Sequence, residues 1–183
     1  MKAYIICEDD LDSQLLQRVL PRELLNSVGI VVGGSLSSVK SMARSLVVRR
    51  RVPVAIIVDA DTVDPDQVEE RRREVKEIVE GVAANTPVGV ILAVPAIESV
   101  FFQDISLISR LFESAPAQEI LSMAVYEPGR ALKQLIAESK QYQNQSELIG
   151  QLTHEDLKIL GETSVMQELL QFVQSVCATA DVA

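Results

Sequence analysis

The pattern of hydrophobic and polar positions divides the chain at about residue 95. Four short apolar runs precede that point, and amphipathic stretches with apolar residues at helical spacing separate them. The third run contains mostly β-branched residues without a polar break, which is typical of a strand buried on both faces. The runs are Tyr4–Cys7, Ile30–Val32, Val54–Val58 and Val88–Val94. Their β-α-β-α-β-α-β order predicts an α/β fold with a mainly parallel four-stranded sheet flanked by helices.

The remainder of the chain predicts helices and no further strand. Helical spacing recurs over 97–112, 117–125, 128–141, 146–152 and 154–178. We therefore expect an α/β domain over 1–112 and a helical C-terminal extension over 113–183, packed on that domain or on a partner. One side of the last helix is apolar from Val165 to Val176, so a homodimer through this helix is one arrangement that the sequence allows.

Composition and charge exclude several classes of protein. The chain has 183 residues, of which 48% are hydrophobic, a fraction that excludes a disordered chain. No apolar run approaches the ~18 residues of a membrane span, and the start of the chain does not resemble a signal peptide. The two cysteines form neither a disulfide framework nor a metal-binding pair. We expect a cytoplasmic protein that does not bind membranes.

The net charge limits how the protein could bind nucleic acid. There are 17 Lys and Arg residues against 26 Asp and Glu, a net charge of -9. Phosphate affinity comes mainly from Lys and Arg, so a polyanion would have to be held by a divalent metal, a partner or a local basic strip. Lys40, Arg44, Arg49, Arg50 and Arg51 are the candidates for guiding nucleic acid. The alternative is that they form solvated helix ends or faces.

Acidic residues follow three of the four predicted strands. Glu8 and Asp12 follow the first strand, Asp59 and Asp61 the third, and Glu98 the fourth. Ligands collect at the carboxyl ends of parallel strands, and crowded carboxylates repel one another. A hard cation such as Mg²⁺ or Mn²⁺ would neutralise them. Asp59 and Asp61 share a face if the chain stays extended there. Alternatively, Asp12 only caps a helix, and Asp61 or Asp64 caps the next one.

Two known families place acids in this way. The segment IICEDD together with Asp59 resembles the response-regulator receiver domain, in which an aspartate after the third strand accepts phosphate. However, the chain lacks the Ser or Thr after the fourth strand and the fifth strand with Lys-Pro that receivers carry.

The second resemblance covers more of the chain, from about residue 3 to residue 103. IICEDDLDSQLLQRVL resembles the first Toprim motif and VAIIVDADT the second. GIVVGGSLSSVKSMA lies between them, as in some Toprim proteins, and VILAVPAIESVFF resembles the Pro-x-x-Glu region of the OLD-type nuclease branch. One departure is Asp9, which stands where Toprim proteins often have glycine.

The Toprim resemblance implies roles for these residues. Glu8 would be a metal ligand or general acid–base group, Asp59 and Asp61 would bind Mg²⁺ (or Mn²⁺), and Asp12 and Glu98 would help to hold a second ion. The resemblance implies a small Toprim nuclease that acts on DNA or RNA, with help from a separate ATPase or defence partner. The alternatives are a receiver-like signalling domain phosphorylated on Asp59 and a non-catalytic Toprim-fold regulatory subunit.

Overall fold

The fold is built on one parallel sheet, seen in a computed structural model that describes residues 1–179. Residues 180–183, the end of the expected C-terminal extension, lie outside the described residues. All four predicted strands are present: β1 (Ala3–Cys7), β2 (Val28–Val32), β3 (Val54–Asp59) and β4 (Val88–Ala93). Their order is β2-β1-β3-β4, and every neighbouring pair is parallel. The predicted α/β class and four-stranded parallel sheet are confirmed.

The strand order reverses between β1 and β3. From β1 the chain moves outward to β2 and then crosses over to β3 on the other side of β1. The connections that leave β1 and β3 therefore diverge at the carboxyl ends of these two strands. This switch point is where open parallel sheets bind ligands.

Helices cover both faces of the sheet, which explains why the strands are apolar throughout. α3 (Leu36–Ser45) and α4 (Pro65–Glu80) pack on one face, against a cluster of buried side chains that includes Ile6 and Ile56. α1 (Asp10–Val19) and α10 (Ser164–Thr179) belong to the larger core on the other face, together with Ile5, Ile57 and Ile91. Successive residues of a strand thus enter different cores.

The remaining helices are short and join these layers. They are α2 (Arg22–Leu25), α5 (Ile105–Leu111), α6 (Gln118–Ala124), α7 (Pro128–Ser139), α8 (Gln145–Gln151) and α9 (His154–Gly161), with a π-helical turn at Leu46–Arg50 and a 3₁₀ segment at Ile97–Phe102. The expected single helix over 97–112 is wrong. Asp104 divides it, because its side chain accepts the amide hydrogens of Ser106 and Leu107 and caps α5.

The helical extension shares its core with the sheet. Leu148, Leu160 and Val173 are fully buried in the same cluster as Ile5 and Leu15. The apolar side of α10 is part of this core, so the sheet already covers the face that suggested a homodimer. The domain boundary at residue 112 and the homodimer stay predictions. Within residues 1–179, no helix is long and apolar enough to cross a membrane.

Candidate metal centre

Four carboxylates meet at the switch point, and we call them the carboxylate cluster: Glu8, Asp12, Asp59 and Glu98. They come from the segments that follow β1, β3 and β4. The backbone amide of Asp59 donates to Oε2 of Glu8 at 3.0 Å, which joins the ends of the two central strands. The charges of Asp12, Glu98 and Glu8 all raise the pKa of Asp59, so the four groups interact electrostatically.

The start of α1 fixes Asp12 and the backbone before it. Asp9 is the N-cap residue, and its side chain accepts the amide hydrogen of Asp12 at 3.0 Å. Oδ2 of Asp12 in turn accepts from the backbone amides of Glu8 and Asp9, both at 3.2 Å. This reciprocal arrangement is a capping box. Asp12 therefore does stabilise the helix start, as the alternative interpretation held, while its carboxylate remains in the cluster.

Asp59 and Glu98 are tied to each other through the segment after β4. Oδ1 of Asp59 accepts the backbone amide of Ile97, next to Glu98, at 2.9 Å. Oε1 of Glu98 accepts from the Gln145 side chain at 3.5 Å. A Cβ on Gly129, in the first turn of α7, would lie 2.9 Å from the same oxygen. A side chain at this position would therefore require the Glu98 carboxylate to shift.

Each of the four carboxylates keeps one oxygen free. One oxygen of each accepts the hydrogen bonds just described, and the other accepts none from residues 1–179. No buried side-chain oxygen among these residues lacks a partner, so the free oxygens reach solvent.

Burial raises the pKa of two of these carboxyl groups. The pKa of Asp59 rises from 3.8 to about 8, first through burial and then through the charge of Asp12. The pKa of Asp12 rises to about 7, again first through burial and then through the charge of Asp9. Their ionised forms are therefore disfavoured at neutral pH unless positive charge is added.

The donor chemistry of the cluster fits a hard divalent cation. Carboxylate oxygens are the ligands that Mg²⁺ prefers. The nearest sulfur, that of Cys7, is a buried thiol whose pKa burial raises to about 12, so it stays protonated and is a poor ligand. In the described part of the chain, no three Asp, Glu, His or Cys side chains are arranged as a formed metal site. The free oxygens would have to turn toward one another to bind an ion.

Asp61 lies apart from the cluster. Its backbone has a φ of +55°, so the chain turns here and the shared face expected for Asp59 and Asp61 is wrong. The Asp61 carboxylate is 69% exposed and lies 2.6 Å from Nη1 of Arg71. The same guanidinium donates to the backbone oxygen of Asp59 at 3.3 Å. Asp61 does not cap α4 either, because Asp64 does.

The structure does not bring the predicted basic strip to the cluster. Arg49, Arg50 and Arg51 precede β3 and lie at the amino-terminal edge of the sheet, where Arg50 donates to the Tyr4 hydroxyl. The six residues of β3, about 20 Å in length, separate them from Asp59.

The other two predicted nucleic-acid ligands lie on α3. Lys40 forms an ion pair with Glu74 of α4 at 2.8 Å, and Arg44 lies a turn further along α3, toward that same amino-terminal edge. Nucleic-acid binding by the five basic residues stays a prediction.

Sequence reasoning missed two residues that position Glu98. Gln145 lies in the polar segment from Lys140 to Ser146, and Gly129 follows a proline at a predicted helix start. A glycine in a helix costs about 1 kcal/mol relative to alanine, which is a weak signal that the position has another purpose. Neither residue could be linked to Glu98 without the tertiary structure.

Comparisons with solved structures identify chains of the same fold. The C-terminal region of the Burkholderia pseudomallei OLD protein matches with a TM-score of 0.57 and 20% identity, over 95% of this chain and 97% of that one. The C-terminal region of the Xanthomonas campestris pv. campestris OLD protein, phased with iodine, matches with a TM-score of 0.55 and 15% identity, over 100% and 98%. No protein-family model and no curated protein sequence matches the chain. The expected resemblance is therefore confirmed for the fold: the chain has the Toprim-like fold of the C-terminal regions of OLD proteins.

Proposed function

We propose that the carboxylate cluster binds Mg²⁺ or Mn²⁺ and that the protein cleaves phosphodiester bonds of DNA or RNA. The observation that carries this proposal is the convergence of four carboxylates, each with one free oxygen, at the switch point of the sheet. Repulsion among neighbouring carboxylates destabilises a protein, and groups with strongly perturbed pKa values are concentrated at functional sites. The similarity to OLD proteins supports the proposal at the level of fold.

The cluster residues have distinct roles in this proposal. Glu8, Asp12, Asp59 and Glu98 would hold the ion through their free oxygens. When bound, the metal supplies positive charge and an activated water at the scissile phosphate. Oε2 of Glu8 already accepts from the Asp59 amide, so its one free oxygen would serve either as a metal ligand or as the group that exchanges a proton with water or the leaving oxygen.

Asp61 joins the site in this proposal only after it leaves Arg71. An exposed ion pair contributes about 0–1 kcal/mol, so the exchange of Arg71 for a metal ion costs little. The same exchange would free Arg71 to approach a phosphate. Asp61 would then join Asp59 as a ligand of the ion.

Capture of nucleic acid by so acidic a chain requires help. With a net charge of -9, long-range electrostatics oppose the approach of a polyanion. We propose that a separate ATPase or defence partner supplies positive charge to the complex, because a second copy of the chain would add its own net negative charge.

Cleavage assays with matched variants test this function. We expect the purified protein, alone or with its partner, to cleave plasmid DNA or RNA in Mn²⁺ or Mg²⁺ and to be inactive in EDTA. Asp59→Asn and Glu8→Gln should each reduce cleavage by about 100-fold or more. Glu138→Gln, an exposed change on α7, is the control and should leave cleavage unaltered.

Two results would contradict the proposed function. One is cleavage that persists in Asp59→Asn, because a contaminating nuclease would then explain the activity. The other is stable phosphorylation of Asp59 by acetyl phosphate without any divalent-dependent cleavage, which would favour the receiver-like alternative.

A further inference from the structure

A cavity of about 670 Å³ lies beside the carboxylate cluster. Leu11 of α1 lines one side, and α7 and the loop from residue 140 to residue 144 line the other. Leu11 stands next to Asp12 in the sequence. Gln145, only 6% exposed, lines the cavity and also donates to Glu98. The cavity and the cluster therefore share a wall.

The volume and chemistry of this cavity suit an aromatic heterocycle. Leu11 and Ile136 give it apolar surface, and the side chains of Gln143 and Asn144 add amide groups. Tyr142 is held in place at both ends. Its hydroxyl donates to the backbone oxygen of Leu111 at 2.9 Å, and its ring packs edge-to-face on the ring of Phe112. The volume lies within the range of small-molecule sites, about 300–1,000 Å³. A nucleobase needs this combination of apolar walls and a few polar groups.

Two lysines give the cavity a positive charge in an otherwise acidic protein. Lys133 and Lys140 line it, and neither forms an ion pair within residues 1–179. Among the described residues that line the cavity, none is Asp or Glu. The lysines can therefore hold a phosphate group close to the cluster.

We propose that this cavity receives one unpaired nucleotide of the substrate strand. The base enters between Leu11, Ile136 and Tyr142, the lysines hold its phosphate, and the neighbouring phosphodiester lies at the carboxylate cluster. This inference rests on the proposed function, since it names the substrate of the same site. A base in a duplex cannot enter without unpairing, so single strands and frayed ends are the preferred substrates.

A bulky residue in the cavity wall tests the inference. Ala137→Trp fills the cavity, whereas Gln134→Trp places the same side chain on an exposed part of α7 that does not line it. Calorimetry with thymidine 5′-monophosphate in Ca²⁺ measures binding without cleavage. We expect Ala137→Trp to weaken this binding, and to raise KM for a single-stranded oligonucleotide in Mn²⁺, by about tenfold or more. Gln134→Trp should change neither value.

The outcomes separate the cavity from the cluster. Suppose that cleavage depends on the cluster. If Ala137→Trp then leaves KM and nucleotide binding unaltered, or if duplex DNA is cleaved as well as single-stranded DNA, the cavity proposal is wrong and the proposed function stands. If thymidine 5′-monophosphate binds in the cavity but no divalent ion supports cleavage, the proposed function is wrong. Should Ala137→Trp fail to fold, Lys133→Gln and Lys140→Gln, both at exposed positions, should raise KM instead. An unaltered KM in both would overturn the proposal.

Discussion

Replacement of Asp59 by asparagine is expected to stabilise the metal-free protein. The Asp59 carboxyl group is half-buried beside other acids, and burial followed by the charge of Asp12 raises its pKa from 3.8 to about 8. Asparagine is neutral at every pH and nearly the same size. It keeps a side-chain oxygen that can accept the Ile97 amide hydrogen, so the change removes the charge and preserves the hydrogen bond.

The size of the effect follows from proton linkage. Above pH 3.8 the unfolded chain releases a proton that the folded chain retains until about pH 8, so stability falls as the pH rises through this window. One such group costs about 1.36 kcal/mol per pH unit, which gives a ceiling of about 4 kcal/mol at pH 7. The raised pKa of Asp12, about 7, partly reflects the same crowding. We therefore expect Asp59→Asn to increase the free energy of unfolding by about 2–4 kcal/mol at pH 7.

Urea unfolding in EDTA, followed by circular dichroism from about pH 5 to pH 8, measures this effect. The wild type should lose stability across that range, and Asp59→Asn should lose clearly less. Asp66→Asn, at an exposed position, is the control and should alter stability by no more than about 0.5 kcal/mol. In Mn²⁺ at about 100 times its Kd, the wild type should gain about 2.7 kcal/mol and Asp59→Asn almost nothing.

One result would refute this reasoning. If Asp59→Asn is less stable than the wild type in EDTA at pH 7, and both lose stability with pH at the same rate, the carboxylates are not crowded in the way that the structure indicates.

Three further predictions concern other parts of the molecule. Gly129→Ala should weaken Mn²⁺ binding about tenfold in calorimetry, because its Cβ would displace Glu98. Its control is Gly150→Ala, which has open space around it and should add about 0.5–1 kcal/mol of stability while leaving Mn²⁺ binding unaltered. Equal effects at both glycines would contradict this. Cys7 should resist iodoacetamide at pH 8 in the native protein and react in urea, as mass spectrometry can show, since burial raises its pKa to about 12; rapid native alkylation would be the contrary result. Substitution of Arg49–Arg51 by glutamine should weaken binding to a long duplex but leave cleavage of a trinucleotide within about twofold, because the strip lies at the far edge of the sheet. A large loss with the trinucleotide would show that the strip reaches the site.

The sheet could be predicted from the sequence because its strands are buried on both faces. Val54–Val58 is an uninterrupted run of mostly β-branched residues, which is typical of a strand buried on both faces. The acids at the strand ends followed from this, because parallel strands end at one edge. The helix over 97–112 could not be placed correctly, since the apolar spacing continues across Asp104 and only its capping hydrogen bonds reveal the break.

The details of the site depended on contacts that no local pattern encodes. Asp61 was expected beside Asp59, but a left-handed backbone conformation and an ion pair with Arg71 turn it outward. Gln145 is 47 positions from Glu98 in the sequence, and their contact arises only when α8 packs near the switch point. A pattern of residue types can therefore indicate a site. The hydrogen bonds that hold its side chains in place can be identified only once the fold is known.

The most direct test of the carboxylate cluster as a metal site is a crystal structure with Mn²⁺, in which anomalous scattering locates the ion. The account predicts a peak at the switch point, with oxygens of at least three of Glu8, Asp12, Asp59 and Glu98 at about 2.0–2.2 Å. An anomalous map with no peak at the cluster, at Mn²⁺ concentrations that saturate binding in solution, would contradict it.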